Sequence, residues 1–416
     1  MRNRLNYIMW YHKLFGTNKK AEKALEYYGG FERLYEVVVN KADTQGLLQS
    51  FPESRLFSWS LMDSFDIIEQ CRDMGGDVIS FESPYYPEPL KNINNSPKIL
   101  FYQGDKEILK EKLFVSIVGS RDATDEALAI SYNCAYNMAK SGAVIVSGAA
   151  LGVDSAAHKG ALAAGGATVG VLGCGLGSEY MTRLGGFYDK VCKNGVYITE
   201  MLPQTSPSKY SFPERNRIIS GMSRAVLVTY AGEKSGSLIT AENARKQKRR
   251  VYALSPELCP SDGCKKLISD GAYVFHSAGD IIFPLKEYCV GRFDEIYCNR
   301  SVKTNDLTAA DYTIEKEQAE EKPAKKVMKM KKSADKAVSA KEKLPEKEEK
   351  RTITEIPDYV SEDAKTVYAA LPDGRAEVDG LVPLTGLSIQ NILAAISELE
   401  IFGFVKSLPG KTVEKI

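Results

Sequence analysis

The stretch LFVSIVGSR, residues 113–121, decides the fold of this chain, because an apolar run passes directly into a small-residue loop that carries a cation. Similar loops end further apolar runs at residues 147–154, 173–175 and 232–237, and the segment FPERNR at 212–217 opens a helix of its own. Strands and helices that alternate in this way form a parallel sheet. Its loops gather at one edge, where anions bind.

Hydrophobic patterning extends this arrangement over the centre of the chain. Apolar runs predict strands at residues 114–118, 143–146, 168–172, 196–199, 225–229 and 251–254. Helical periodicity predicts helices at 125–141, 153–164, 214–222 and 238–247. Near-continuous apolar strands need cover on both faces, so the expected fold class is α/β with a doubly wound, mostly parallel sheet.

Composition limits the classes of protein to which the chain can belong. The 416 residues include 55 basic and 54 acidic side chains, so any nucleic-acid affinity must come from local clusters. The eight cysteines form no CxxC pair and no zinc-ligand spacing, which indicates free thiols in a reducing compartment rather than a metal site. No apolar run reaches the ~20 residues of a membrane span. We therefore expect a cytoplasmic protein without a cofactor or a membrane segment.

The part of the chain before the central region has two sections. Residues 1–82 are expected to form a helical module of the SAM or helix-hairpin-helix kind, since short amphipathic patterns are broken by glycines. Four prolines at 84, 87, 89 and 97 then forbid a regular helix and predict an extended connector. It ends in a strand, residues 99–102, that belongs to the sheet domain expected over residues 83–295.

The C-terminal part also divides in two. Residues 300–352 are expected to be a disordered charged linker, because they are rich in Lys and Glu and poor in aromatic residues. Its lysine cluster between 325 and 332 is interpreted as a solvated charge run rather than a nucleic-acid contact. Residues 353–416 predict helices at 364–371, 378–384 and 387–399 and a small hairpin at 403–413, which together indicate a winged helix. Since the third helix lacks Lys and Arg, protein docking is favoured over DNA reading.

Several familiar nucleotide-binding and catalytic patterns are missing. The loop at 232–237 has the ingredients of a GxxxxGK[ST] phosphate loop in the wrong order, and the loop at 119–121 lacks GxGxxG. No nucleophile, base and orienting group occur together in these loops, so no catalytic residue is expected. We interpret Asp154 as a helix cap or an arginine partner, and His158 as structural.

The remaining residues form a candidate anion-binding surface. Arg121 follows the first strand, where a doubly wound fold opens its crevice, although a structural salt bridge is the alternative role. Arg215 and Arg217 are two residues apart on one helix and point to roughly opposite faces, so one reaches the crevice and the other ties the helix to the body. A base-stacking role and a core role are equally open for Phe212. At Lys234 the following Ser-Gly-Ser favours phosphate binding over a plain turn.

The order and spacing of these loops closely resemble the DNA-processing protein A (DprA/Smf) family. The matching segments are IVGSR at 117–121, SGA at 147–149, GVD at 152–154, AH at 157–158, GG at 165–166, VLGCG at 171–175, FPERNRIISG at 212–221 and KSGSLIT at 234–240. Together they span about residues 113–272. The helical N-terminal module and the winged helix are family features as well.

The resemblance implies a non-enzymatic protein with an extended Rossmann-like domain that forms dimers. The family binds single-stranded DNA during natural transformation, protects it and helps to load RecA recombinase. Family contact roles carry onto five residues, Arg121, Lys209, Phe212, Arg215 and Lys234. The expected nucleic-acid site also includes their neighbours Gly119, Ser120, Ser147, Gly148, Asn216, Ser235 and Gly236.

The chain departs from the family pattern at a few positions. Leu151 stands where the family usually has Arg, which removes one cation or one internal salt bridge near Asp154. Gly-Cys-Lys at 263–265 replaces Gly-Cys-Asn, and Ser-Pro at 255–256 replaces Pro-Gly. The alternative function is a nucleotide-processing enzyme of the phosphoribohydrolase type, but the PGGxGTxxE signature expected of it is missing.

Overall fold

The computed structural model describes residues 3–182, 185–289, 293–303, 361–372, 375–401, 404–408 and 412–415. The chain divides into two compact units, residues 1–324 and 325–416. No helix in these described segments is long and apolar enough to cross a membrane. The same segments contain no cluster of His, Cys, Asp and Glu side chains able to hold a metal ion.

The first unit begins with a helical module, as the sequence predicts. Its helices are α1 (Arg4–Phe15), α2 (Lys19–Tyr28), α3 (Phe31–Val39), α4 (Glu53–Leu56) and α5 (Leu61–Asp73). Asn18 caps α2, and Ser60 forms a reciprocal capping box with Asp63 at the start of α5. Trp10 is fully buried in a core that also contains Phe101 and Tyr197 of the sheet, so the module packs directly on the sheet domain.

A nine-stranded sheet forms the centre of the first unit. Its strands are β1 (Asp77–Ser80), β2 (Ile99–Gly104), β3 (Phe114–Gly119), β4 (Val144–Ser147), β5 (Thr168–Val171), β6 (Gly195–Thr199), β7 (Ala225–Tyr230), β8 (Arg250–Leu254) and β9 (Tyr273–Phe275). They lie in the order β1-β2-β6-β5-β4-β3-β7-β8-β9. The β1–β2 and β2–β6 pairs are antiparallel and all other pairs are parallel, which confirms the Rossmann-like, mostly parallel sheet.

Helices connect the strands of this sheet. They are α6 (Glu88–Lys91), α7 (Asp125–Lys140), α8 (Val153–Ala163), α9 (Glu179–Thr182), α10 (Gly185–Asn194), α11 (Ser211–Met222), α12 (Gly236–Lys246), α13 (Asp262–Ser269), α14 (Gly279–Ile282) and α15 (Glu295–Asn299). Short 3-10 helices lie at Lys106–Lys110 and Phe283–Tyr288. The four helices expected from periodicity are all present. Two of them begin earlier than predicted, α11 at Ser211 and α12 at Gly236.

The structure corrects the boundaries expected for the sheet domain. Strand β1 lies before residue 83 and pairs with β2, so the sheet starts inside the region assigned to the N-terminal module. The connector contains the short helix α6, because Pro89 lies in its first turn, where a missing amide hydrogen costs little. At the other end, Asn133 Nδ2 donates to the carbonyl oxygen of Val302 at 2.8 Å, and Val302 is buried. Residues 300–303 therefore pack on α7 and do not begin the linker.

The second unit has the expected winged-helix architecture. Its helices are Glu362–Ala370, Val382–Thr385 and Ile389–Ile401, with a 3-10 turn at Val378–Leu381. Strands β10 (Arg375–Glu377), β11 (Val405–Leu408) and β12 (Thr412–Lys415) form an antiparallel sheet in the order β10-β12-β11. Ser388 caps the third helix by accepting from the amide of Asn391 at 3.2 Å, as predicted. The linker prediction over 304–352, the winged-helix residues 353–360 and the hairpin turn at 409–411 lie outside the described residues.

Candidate nucleic-acid interface

An open crevice lies beyond the carboxyl ends of β3, β4 and β7. It encloses about 290 Å³ and draws its walls from the loop after β3, the loop after β4 and the first turns of α11 and α12. The residues that line it are Val118, Gly119, Ser120, Arg121, Asp122, Ala150, Asp154, Phe212, Arg215, Asn216, Ile219, Ser235, Gly236, Ser237 and Thr240. Most of the site residues expected from the sequence thus meet in one place.

The loop after β3 forms the first wall. A Cβ atom at Gly119 would lie 2.6 Å from Cγ2 of Val153 and 2.7 Å from the carbonyl oxygen of Tyr230, so only glycine fits there. The Ser120 amide donates to the Tyr230 carbonyl at 2.8 Å, and the Ser120 carbonyl accepts from the Val153 amide at 3.2 Å. This loop is therefore fixed on β7 and α8, and the next residue, Arg121, is exposed at the crevice.

Phe212 and Arg121 contact each other across the crevice. The guanidinium carbon of Arg121 lies 5.3 Å from the centroid of the Phe212 ring, within the range of a cation–π contact. On its other sides the ring meets the edge of Tyr180, at 6.0 Å between centroids, and packs against Gly173. A Cβ at Gly173 would lie 2.9 Å from the ring. Phe212 is consequently half-buried, so it packs on the body of the domain and still faces the crevice.

Arg215 lines the crevice as a buried part of its wall. Its guanidinium Nη1 donates to the carbonyl oxygens of Gly148 and Val171, and only 5% of the residue is exposed. A Cβ at Gly148 would lie 2.5 Å from Nη1 of Arg215 and 2.6 Å from Oδ2 of Asp154. Arg215 thus joins the loops after β4 and β5 from a position that also lines the crevice.

Asp154 is the buried carboxylate beside Arg215. Its Oδ2 accepts from the amide of Ala150 at 3.4 Å, so it holds the loop after β4 as well as facing the guanidinium. Burial raises the pKa of Asp154 and the nearby Arg215 opposes that rise, whereas burial lowers the pKa of Arg215 and Asp154 opposes that fall. The expected role of Asp154 as an arginine partner is therefore confirmed.

Two other expected contacts, Ser147 and Gly148, also lie behind the crevice surface. Ser147 is fully buried, and its hydroxyl donates to the carbonyl oxygen of Ile117 on the neighbouring strand at 2.6 Å. Gly148 is buried too, and neither residue lines the cavity. Their role in this structure is to shape the wall, because a serine at the end of an interior strand uses its hydroxyl to satisfy a strand carbonyl.

The companion arginine of α11 has the tying role expected from the sequence. Arg217 forms an ion pair with Glu200, with 15% and 11% of the two side chains exposed. Burial raises the pKa of Glu200, and Arg217 opposes the rise. The carbonyl oxygen of Glu200 accepts a hydrogen bond from Nε2 of His12 at 2.9 Å, and burial lowers the pKa of His12 to about 4. Arg217 therefore joins α11 to a loop that contacts the N-terminal module.

The first turn of α12 forms the opposite wall. Ser235 caps this helix by accepting from the amide of Ser237 at 3.4 Å, and Asn216 Nδ2 donates to the Gly236 carbonyl at 3.4 Å. A Cβ at Gly236 would meet no atom of the described residues within 4 Å, so the space above this turn is open. Lys234, just before the turn, is exposed. Amides at the start of a helix carry partial positive charge, which favours an anion here.

Lys209 lies outside the cavity walls and close to an exposed aromatic ring. Its Nζ lies 5.2 Å from the ring centroid of Tyr210, and both residues are exposed. The sequence analysis did not predict Tyr210 or Tyr180 as aromatic residues near Phe212. Tyr210 could have been found, because it lies between Lys209 and Phe212 in the sequence. Asp122, Ile219 and Thr240 were also missed as lining residues.

His158 has the structural role predicted for it. It is fully buried, and its Nδ1 lies 2.7 Å from the hydroxyl of Thr168, which itself donates to the Ile145 carbonyl at 2.8 Å. Because that hydroxyl proton is used, Nδ1 carries the imidazole proton and donates. Burial, helped by the positive charge of Arg215, lowers the pKa of His158 to about 3.

Comparisons with known proteins agree with this architecture. The family model described as "DNA recombination-mediator protein A" matches residues 77–286, and the model for the DprA winged helix domain matches residues 351–411. Protein Smf of Synechocystis sp. is 30% identical over 365 residues, which cover 85% of this chain and 84% of that protein. DNA processing protein DprA of Bacillus subtilis is 37% identical over 223 residues, covering 53% of this chain and 75% of that protein.

A solved structure of a relative has the same fold. The X-ray structure of DNA processing protein A from Streptococcus pneumoniae superimposes with a TM-score of 0.57 at 32% identity, covering 67% of this chain and 97% of that chain. The family model also spans the residues that line the crevice. The chain therefore belongs to the DNA recombination-mediator protein A (DprA/Smf) family.

Proposed function

We propose that this protein is a single-stranded DNA-binding recombination mediator of the cytoplasm. It protects incoming single strands and helps to load RecA recombinase during natural transformation. The observation that carries the proposal is the pairing of exposed Arg121 with the half-buried ring of Phe212 over an open crevice. A cation beside an aromatic ring suits a ligand that offers a phosphate and a base together.

The charge distribution supports a polymer rather than a small nucleotide. Arg121, Lys234 and Lys209 are all exposed, and Lys209 lies outside the cavity, so the cations extend beyond the space that one nucleotide fills. Single-stranded DNA binds with little sequence preference where a positive groove follows the backbone and aromatic rings stack on the bases. Each stacked base contributes about 1–3 kcal/mol in such grooves.

Family membership supports a proposal for the partners of this function. We propose a homodimer through the Rossmann-like domain and an interaction with RecA recombinase. The relatives described above carry names that refer to DNA processing and recombination mediation, and this supports the assignment. The winged helix is proposed as a protein-docking module, because no Lys or Arg occurs in its third helix, Ile389–Ile401.

We also propose that the protein acts by binding rather than by catalysis. Asp154 is held by the Ala150 amide and faces Arg215, and His158 donates to Thr168 with its pKa lowered to about 3. Both groups therefore have structural roles beside the crevice. No feature of the described residues favours the nucleotide-processing alternative over this proposal.

A binding titration tests the proposal. The full chain is titrated into fluorescently labelled single-stranded and duplex oligonucleotides, with Arg121→Ala, Phe212→Ala and Lys234→Ala compared with the wild type. Lys20→Ala is the matched control, since Lys20 is exposed on α2 and does not line the cavity. We expect the three crevice variants to bind single strands more weakly and the control to match the wild type.

The salt dependence gives a second measure. For single strands, the slope of log affinity against log salt changes by about 0.7 for each phosphate that the protein no longer neutralises. Arg121→Ala and Lys234→Ala should lower the slope, whereas Phe212→Ala should lower affinity with the slope unchanged. Equal affinity of the wild type for single strands and duplex would contradict the proposal. Release of a free base from a panel of nucleoside monophosphates would favour the enzyme instead.

A further inference from the structure

Tyr210 is an exposed aromatic residue at the rim of the crevice. It lies directly before α11, and 67% of it is exposed, which is high for a large aromatic side chain. The Lys209 Nζ lies 5.2 Å from its ring centroid, so a positive charge accompanies the ring. Neither residue is a wall of the cavity, whereas Phe212, two residues later, is.

The loop that carries Tyr210 is fixed by reciprocal serine hydrogen bonds. The Ser211 hydroxyl accepts from the Ser208 amide at 2.9 Å and donates to the Ser208 carbonyl at 2.9 Å. The Ser208 hydroxyl in turn accepts from the amides of Tyr210 and Ser211, at 3.3 and 3.1 Å. Ser211 is buried, so this closed turn is anchored on the domain and holds Lys209 and Tyr210 outward.

The other end of the same loop is anchored as well. The Gly175 amide donates to the Thr205 carbonyl at 2.8 Å, and the Gln204 amide donates to the Leu176 carbonyl at 2.7 Å. A Cβ at Gly175 would lie 1.9 Å from the carbonyl oxygen of Leu202, so the two loops are in close backbone contact. A loop backbone held in this way loses little conformational entropy when a ligand stacks on the ring that it carries.

The spacing along the chain determines what Tyr210 can receive. Two residues apart, the Cα atoms of Tyr210 and Phe212 are separated by at most about 7 Å. Because residues two apart at the start of a helix point to different faces, the two rings take bases on different sides of the start of α11, within the reach of one strand. Lys209, 5.2 Å from the Tyr210 ring, adds positive charge for the DNA backbone there. We propose that Tyr210 is a second stacking platform of the single-stranded DNA site, receiving the base adjacent to the one that stacks on Phe212. The inference rests on the proposed function and adds a base-binding position to it.

Removal of the Tyr210 ring should weaken binding only to DNA that carries bases. Full-length wild type, Tyr210→Ala and Tyr210→Phe are titrated with a labelled thymidine oligomer and with the same oligomer made entirely of abasic sugar phosphate. Tyr27→Ala is the matched control, because Tyr27 is 60% exposed on α2 in the N-terminal module. We expect Tyr210→Ala to weaken thymidine-oligomer binding by about tenfold, within the range for one stacked base. Tyr210→Phe and Tyr27→Ala should bind like the wild type.

The abasic oligomer separates stacking from other causes. On it, Tyr210→Ala and wild type should bind equally, because the ring has no base to receive. An equal loss on both oligomers would overturn the inference, since it would show that the substitution acts on the backbone site or on folding. Thymidine-oligomer binding by Tyr210→Ala that matches the Tyr27→Ala control would overturn it too.

A spectroscopic variant gives a readout that does not depend on affinity. In Tyr210→Trp the new indole should be quenched when the thymidine oligomer binds, relative to wild type, whose two tryptophans, buried Trp10 and half-buried Trp59, both lie in the N-terminal module. Unchanged indole emission at saturating oligomer would overturn the proposed stacking role of Tyr210. If wild type fails to bind single strands at all, the proposed function and this inference both fail. If wild type binds and only Phe212→Ala weakens binding, the inference alone fails.

Discussion

Replacement of Arg215 by Met should destabilise the loops that form the wall of the crevice. The substitution keeps most of the side-chain length but removes the donor to the carbonyl oxygens of Gly148 and Val171. It also leaves Asp154, only 8% exposed, without the cation beside it. All three groups are buried, so water does not replace the missing partner.

The magnitude follows from the cost of an uncompensated buried charge. Leaving a buried carboxylate without the cation that faces it costs up to about 3–5 kcal/mol, the range for a broken buried ion pair, and each buried carbonyl left without a donor adds to that. Against a total stability on the order of 5–15 kcal/mol, this loss leaves little reserve. The exposed Arg121→Ala should change stability by less than about 0.5 kcal/mol, as ordinary surface substitutions do.

The assay is urea unfolding of the two variants and wild type, followed by circular dichroism at pH 8 and pH 5. In Arg215→Met, burial still raises the pKa of Asp154, and the opposing cation is gone. The folded state then keeps a proton that the unfolded state releases, so the variant loses stability as the pH rises above the ordinary value of about 3.9. The deficit relative to wild type should therefore be smaller at pH 5 than at pH 8.

A double variant isolates the charge. Asp154→Asn in the Arg215→Met background removes the carboxylate, and we expect it to restore roughly half of the missing stability at pH 8, since the buried charge is the larger part of the cost. An Arg215→Met protein as stable as Arg121→Ala would refute the reasoning, because it would show that the guanidinium is not an internal tie. A deficit that stays constant between pH 5 and pH 8 would refute the role given to Asp154.

Four further outcomes follow from the same structure. Gly148→Ala should destabilise the fold by about 1–3 kcal/mol in urea unfolding, because its Cβ would lie 2.5 Å from Arg215, whereas Gly232→Ala, which meets no described atom within 4 Å, should not. The folded state lowers the pKa of His158 to about 3, so as the pH falls the unfolded state binds the proton before the folded state does. Wild type should therefore lose stability as the pH falls from about 6.5 to 3, and His158→Gln should lose less over that range. Leu151→Arg should strengthen single-strand binding and raise its salt slope by about 0.7 in anisotropy titrations, with unchanged stability. A chain truncated before residue 313 should bind single strands like the full chain, and a large loss would assign the site to the C-terminal part.

The strands were predictable because each is buried on both faces and therefore reads as an apolar run. The six expected strands all exist, and their ends shift by at most one residue. Strand β1 was missed because it has only four residues, mostly half-buried, and pairs antiparallel at the edge of the sheet. Pro89 misled the connector prediction for a local reason, since proline is tolerated in the first turn of a helix.

The candidate site was predictable as a set of loops but not as a set of contacts. Helix geometry correctly separates Arg215 from Arg217, because residues two apart lie on roughly opposite faces. It does not reveal that the acceptors of Arg215 are main-chain carbonyls, at Gly148 and Val171, which are 67 and 44 residues away in sequence. Carbonyl groups are the same in every residue, so no side-chain pattern indicates such a partner.

Leu151 shows how the structure resolves a question that the sequence leaves open. The sequence allows its replacement of the family's usual Arg to remove either an external cation or an internal salt bridge of Asp154. In the structure Leu151 is 65% exposed, while Asp154 faces Arg215 and accepts from the Ala150 amide. The internal partner of Asp154 is therefore already supplied by α11. A cation at position 151 would lie on the surface beside Ala150, which lines the crevice, so its absence lowers the positive charge available to a DNA backbone and leaves the wall intact.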